Sequence, residues 1–178
     1  HALPDWTCKD IPYHHPPGPP LTEQGIQEAE RSGNYLKQAG VKRLFASPLE
    51  RALHTARIVS QVTGAPFDIR EGLIEWQPED TEETVTRRIW PVFEYASRLS
   101  REVGPVGLVT HGGPIAMLLL ALGMSAQTLA AQRVFDHSNP LPTAGVWQAS
   151  LKGEIYGVTN DWLLQLVFQP MVTNPSGF

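Results

Sequence analysis

Short apolar strands and amphipathic helices alternate along this chain. That alternation limits the fold more than any other feature, because parallel strands need a helix-length crossover between them. Arg43 to Ala46 is a strand candidate; after Ser47-Pro48, the residues Leu49, Ala52, Ala56, Val59 and Val62 share one helical face, which Gly64 closes. Phe67 to Arg70 is the next strand, followed by a helix over Glu82 to Arg101 with Val85, Ile89, Val92, Tyr95 or Ala96, and Leu99 on one face. Pro91 inside that helix predicts a kink or a break. Val106 to Thr110 reads as a buried strand, and Gly112-Gly113-Pro114 leads into an apolar helix from Ile115 to Leu122. Ahead of these units, Ile26, Ala29, Gly33, Leu36 and Ala39 recur at helical spacing between a candidate N-cap, Thr22, and Gly40, so a helix is expected over 22–39. The expected fold is α/β, a three-layer sandwich whose central sheet is mostly parallel and carries helices on both faces. Gly145 to Ser150 and Glu154 to Thr159 flank Lys152-Gly153 as the strands of a hairpin, which adds an antiparallel edge.

The chain's 178 residues suit one domain over 1–178. Net charge is −4, with no block of Lys or Arg, so neither nucleic acid nor an anionic membrane is an expected partner and any anion site is small and local. A single cysteine, Cys8, excludes an internal disulfide and a cysteine-rich zinc module; cytoplasm is the expected compartment. The longest apolar run, Ile115 to Leu122, falls far short of the roughly 20 residues that cross a bilayer, and no secretory leader opens the sequence. Pro12, Pro16, Pro17, Pro19 and Pro20 crowd one segment, so residues 4–20 form a loop. Residues 168–178 are read as a tail, and the apolar stretch Trp162 to Val172 as an edge strand, a packed tail or a contact in a homodimer.

Open α/β sheets bind ligands at the carboxyl ends of their strands, and reactive side chains stand at those places. Arg51 opens the helix after Ser47-Pro48, where a cation opposes the positive helix end; a bound anion explains it, and so does an exposed Arg whose stem packs on the helix. His111 follows a strand and precedes Gly112-Gly113, beside amides exposed at a helix start, which suits a phosphate; a core histidine bonded to a carbonyl fits equally. His1 taken alone has no readable context. His14-His15 has no carboxylate at ligand spacing and reads as plain loop, so no metal and no cofactor is expected.

Four stretches in this order carry a likeness: His1-Ala2; Leu21-Thr22-Glu23-Gln24-Gly25; Ser47-Pro48-Leu49-Glu50-Arg51-Ala52 with Thr55-Ala56; and Val109-Thr110-His111-Gly112-Gly113-Pro114-Ile115. Together they resemble the histidine phosphatase superfamily, the phosphoglycerate-mutase-like fold, over nearly the whole chain. That family opens with a strand ending in Arg-His-Gly. Here His1-Ala2 takes the His and Gly places, with Ala for Gly and no Arg ahead of it. The resemblance therefore implies a strand that should centre the sheet and that the sequence as given lacks, hence an unfilled slot between its neighbours; a continuous sheet would exclude it.

The resemblance assigns His1 as the phosphorylated nucleophile and Arg51, His111 and the Gly112 amide as phosphate ligands. It also assigns Glu75, in Leu73-Ile74-Glu75, as general acid and then base, although Glu71, Glu79, Asp80, Glu82 and Glu83 lie nearby. These types suit phosphoryl transfer: a neutral imidazole attacks near pH 7, and cations with N–H donors hold the equatorial oxygens without a metal. Trp6, Tyr13, Thr22 and Trp76 are expected to line the substrate pocket. The implied activity is a metal-independent phosphomonoester hydrolase, taking a phosphorylated small molecule or inorganic phosphate. The short span after Glu75 favours it over the alternative, a mutase, which needs longer insertions to enclose its intermediate. A second alternative, a member that binds phosphorylated ligands without turning them over, follows from the missing Arg.

Overall fold

The computed structural model describes residues 1–131, 142–151 and 162–170. The elements run α1 (Glu23–Gln38), β1 (Arg43–Ala46), α2 (Glu50–Thr63), β2 (Phe67–Ile69), a single 3-10 turn at Glu71–Leu73, and α3 (Glu82–Val103). They continue with β3 (Val106–Val109), α4 (Gly112–Ala121), α5 (Ala126–Ala131), β4 (Val146–Leu151) and β5 (Trp162–Phe168). The expected α/β layers are present. β1 lies between β2 and β3, parallel to both, with Phe45 opposite Asp68 on one side and Leu108 on the other. Alternation along β1 sorts the core onto two faces. Leu44 packs with Val41, Val59 and Ala65, while Phe45 packs with Leu73, Ile89 and Ala96 of the α3 side.

Local rules explain the ends. The Thr22 hydroxyl accepts from the Gly25 amide and caps α1 as expected; Gly64, at φ 76°, closes α2. α3 begins on a capping box between Thr81 and Thr84 and runs unbroken through Pro91. Its buried stripe of Val85, Ile89, Phe93 and Ala96 holds the helix where one backbone donor is lost. α4 starts at Gly112, earlier than its apolar run, because Pro114 tolerates a first-turn position that needs no N–H donor. α5 was not foreseen.

The antiparallel edge is present, with a different second strand. β4 pairs with β5, matching Ala149 to Leu164, so the apolar stretch supplies a strand over Trp162–Phe168; the expected partner, Glu154 to Thr159, and its turn lie outside the described residues, as do 171 and 172. The β4–β5 pair does not join the parallel sheet. Between the outer edge of β3 and β4 lies a crevice of about 560 Å³ lined by Gly107, Leu108, Trp147 and Ala149, among others, with His1 also on its wall. The His1 amine donates to the Thr110 carbonyl (2.9 Å), and the His1 carbonyl accepts from the Ala144 amide (2.9 Å). Among the described residues the parallel sheet and the β4–β5 pair are therefore separate, with this crevice between them, and no continuous sheet excludes the slot that the resemblance implies. No helix among the described residues is long and apolar enough to cross a membrane.

Candidate active site

Two of the groups singled out in the sequence follow parallel strands. Arg51 lies in the first turn of α2, after β1, and is fully buried, which removes the reading of an exposed helix arginine. His111, just after β3, is the N-cap residue of α4 and is also fully buried. His1 reaches them from the other side. The His1 and His111 rings stand 4.9 Å apart, and the Arg51 Nε–H points at His1 Nε2 across 3.4 Å. Of the acidic run, the structure brings Glu75 in: its Oε2 lies 3.8 Å from His111 Nδ1 and 3.9 Å from Arg51 Nη2.

Hydrogen bonds fix the tautomer of His1. Its Nδ1 lies 2.8 Å from the Ala2 carbonyl, which can only accept, so Nδ1 carries the proton and the lone pair of Nε2 faces Arg51 and the pocket. The segment is itself pinned to two helices. The Ala2 amide donates to Thr55 Oγ1 (3.0 Å), which in turn donates to the Arg51 carbonyl (2.7 Å). The Leu3 amide donates to Glu28 Oε2 (3.0 Å), and Thr22 Oγ1 donates to the Leu3 carbonyl (3.3 Å). A side chain at Gly25 would collide with that same carbonyl, so the glycine in Leu21-Thr22-Glu23-Gln24-Gly25 permits the close approach. Thr22, expected as a pocket residue, spends its hydroxyl on this backbone.

On the opposite side, His111 Nε2 meets Ser47 Oγ at 2.7 Å, while its Nδ1 is buried without a hydrogen-bond partner. Arg51 Nη2 is likewise buried and unpartnered. Two polar atoms aimed into one small space, and left unsatisfied there, call for a polar guest. Burial and then the nearby Arg51 charge push His111 well below the ordinary histidine range, so the ring is neutral at pH 7. Burial also lowers Arg51, yet a guanidinium keeps its proton at any such pH. Burial raises Glu75 above the usual carboxylate range; the Trp76 amide at 2.8 Å and the Arg51 charge only partly oppose it.

His1, Glu75 and His111 offer ligand atoms within 4.8 Å of one another and could grip a metal ion. The fixed Arg51 cation, donating to the same His1 nitrogen, favours an oxyanion instead. The amides of Gly112 and Gly113 open α4 and have no carbonyl to bind inside the helix, a further anion-binding feature.

The Pro-rich loop closes one wall. The Tyr13 carbonyl accepts from Arg51 Nη1 (2.8 Å), and the Tyr13 ring lies 3.9 Å from the guanidinium carbon. Trp6 stacks on Tyr13 at 4.8 Å and is 59% exposed. His14, read as plain loop, has Nδ1 2.7 Å from the Trp76 carbonyl, so it ties this loop to the Glu75 segment. Trp76 in turn packs against Gly113, 3.4 Å from where a Cβ on that glycine would stand. Ser47 and Thr55 stand inside the quoted stretch yet drew no role from sequence. Glu28 had a signal that was missed, a carboxylate on the apolar face of α1.

A model of the histidine phosphatase superfamily (branch 1) matches residues 1–84. The adenosylcobalamin/alpha-ribazole phosphatase of Salmonella typhimurium is 43% identical over 56 residues, 32% of this chain and 28% of that protein's length. A mycobacterial glucosyl-3-phosphoglycerate phosphatase in complex with VO3 superposes with a TM-score of 0.71 at 20% identity, over 96% of each chain. Bacillus stearothermophilus YhfR gives 0.70 at 19%, over 96% of this chain and 95% of that one. The family model over the first 84 residues and a fold shared almost end to end with these solved structures make this chain similar to the histidine phosphatase superfamily, while it spans less than a third of the length of the curated relative that it matches.

Proposed function

We propose that the chain is a phosphomonoester hydrolase that passes the phosphoryl group through His1. The observation that carries this is the meeting of His1 Nε2, the buried Arg51 guanidinium, His111 and Glu75 around one space. In the first step Nε2 attacks phosphorus, the bond to the ester oxygen breaks, and protonated Glu75 gives its proton to the leaving oxygen. In the second, Glu75 takes a proton from water, the oxygen attacks phosphorus, and the phosphorus–nitrogen bond breaks to free phosphate and His1. Arg51 and the α4 amides hold the equatorial oxygens. His111 adds an N–H at Nδ1 when the Ser47 hydroxyl donates to its Nε2.

Hydrolysis is favoured over phosphoryl return because α3 begins at Glu82, leaving only residues 76–81 after Glu75 to build a cover over the site. The Trp6–Tyr13 wall then meets the leaving group. The test is phosphate release from an aryl phosphate without added metal, together with trapping of an acid-labile phosphohistidine at His1. Turnover that falls in His111→Ala, with label on His1, supports the proposal. Phosphate binding without turnover makes the chain a phospho-ligand binder instead, and phosphoryl return to a second alcohol makes it a mutase.

A further inference from the structure

Arg88 of α3 makes an arrangement that neither the sequence motifs nor the steps above account for. Its Nη2 donates to the carbonyls of Ile74 (3.1 Å) and Glu75 (2.9 Å), the two peptide oxygens that bracket the Glu75 side chain. The same nitrogen lies 2.9 Å from Asp80 Oδ2, which also accepts from the Gln77 amide (2.9 Å). Gln77 Nε2 returns to the Glu75 carbonyl at 2.7 Å. One guanidinium thus gathers the start and the end of the segment that presents the carboxyl group. The Nε and Nη1 atoms of Arg88 are buried without hydrogen-bond partners, a cost that a side chain serving only to brace α3 would have no reason to bear.

We propose that Arg88 is a positioning residue for Glu75, holding its backbone so that the carboxyl stays between Arg51 and His111; this rests on the hydrolase mechanism given above. The segment has no strand or helix of its own between Leu73 and Glu82, so its shape depends on such ties. The Arg88 charge also helps keep His111 neutral. Loosening the tie leaves the anion-binding groups in place and misplaces the proton donor.

The experiment compares Arg88→Met and Arg88→Lys in the full chain, each alone and combined with Glu75→Gln, using an aryl phosphate. Arg88→Met is expected to lower kcat about 10- to 100-fold, the scale of a misplaced catalytic group, with the inhibition constant of inorganic phosphate changed less than about twofold. Arg88→Lys recovers most of the loss. In the Glu75→Gln background Arg88→Met costs almost nothing more, because both changes disable one function. The pH profile of Arg88→Met loses the steepness of its basic limb, where Arg51, His1, His14, His111 and Arg88 are the groups that face Glu75. The carboxyl carbon resonance of Glu75, followed without substrate, broadens or shifts in Arg88→Met and is restored in Arg88→Lys. Equal losses of kcat in the two backgrounds, weakened phosphate binding in step with kcat, or an unmoved Glu75 resonance would each overturn the proposal. An inert wild-type chain would instead overturn the hydrolase mechanism, and the resonance would still decide whether Arg88 positions Glu75.

Discussion

The two sides of the pocket are built differently. Arg51 and His111 stand at the starts of α2 and α4, and His1 is pinned to α1 and α2 through Thr55 and Glu28; every one of these groups is held by a regular element. Glu75, Tyr13 and Trp6 come from irregular backbone that is tied down by side chains: His14 to Trp76, Gln77 to His14, Arg88 to Glu75. Binding a tetrahedral anion needs fixed charge and fixed N–H groups, which a packed scaffold supplies without reorganising. Delivering a proton to leaving groups of different shapes needs a part whose sequence can change without disturbing the core, and loops meet that need.

The largest test of this contrast is Arg51→Ala, because Arg51 belongs to the scaffold yet also carries Tyr13. We expect kcat/KM to fall roughly 10³-fold, with phosphate affinity falling alongside it, and Arg51→Lys to recover little because an ammonium cannot serve Nε, Nη1 and Nη2 directions together. Unchanged phosphate affinity would remove Arg51 from the anion site. Next, Glu75→Gln should lower kcat roughly 10²-fold while leaving phosphate inhibition near wild type. Burial raises the Glu75 pKa, and the first step needs its protonated form, so wild-type activity declines as pH rises through that raised value; the glutamine variant should show no such decline. A decline that persists belongs to another group. A smaller effect is expected from Gly113→Ala: a Cβ there would stand 3.0 Å from Glu75 Oε1 and 3.4 Å from Trp76 Cβ, so the loop side shifts and kcat drops roughly tenfold with little change in anion binding. Smallest is Trp6→Ala, with a change of about two- to fivefold in the ratio of kcat/KM for bulky aromatic over small aliphatic phosphates and near-constant turnover of the small ones. Equal losses on both substrates would place the indole outside the leaving-group wall.

The same division explains what the sequence disclosed. Arg51 and His111 were legible because they sit at the junction of a strand pattern and a helix pattern, where an unexpected cation or an imidazole beside glycines stands out. The strand and helix pattern was also legible through β3, with the start of α4 displaced by three residues because Gly-Gly-Pro masks a first turn. Glu75 could be told from its acidic neighbours only through the family likeness, since burial separates it from Glu71 and composition does not. Arg88 was not legible at all. In Thr86-Arg87-Arg88 it looks like one more solvated residue, and only the angle at which α3 lies on the sheet decides that its guanidinium turns inward. β5 shows another limit: Trp162 to Phe168 alternates in burial over its first half, but an apolar run of that length is equally a tail until its partner strand is seen.

The crevice beside β3 has a consequence for how the molecule comes apart. Among the described residues no backbone ladder links the β4–β5 hairpin to the β2–β1–β3 layer, so the two need not open together. Amide hydrogens of Trp147 and Ala149 should exchange with solvent deuterium at far lower free energies than those of Leu44 and Phe45, and heating should release the hairpin as a separate, earlier unit.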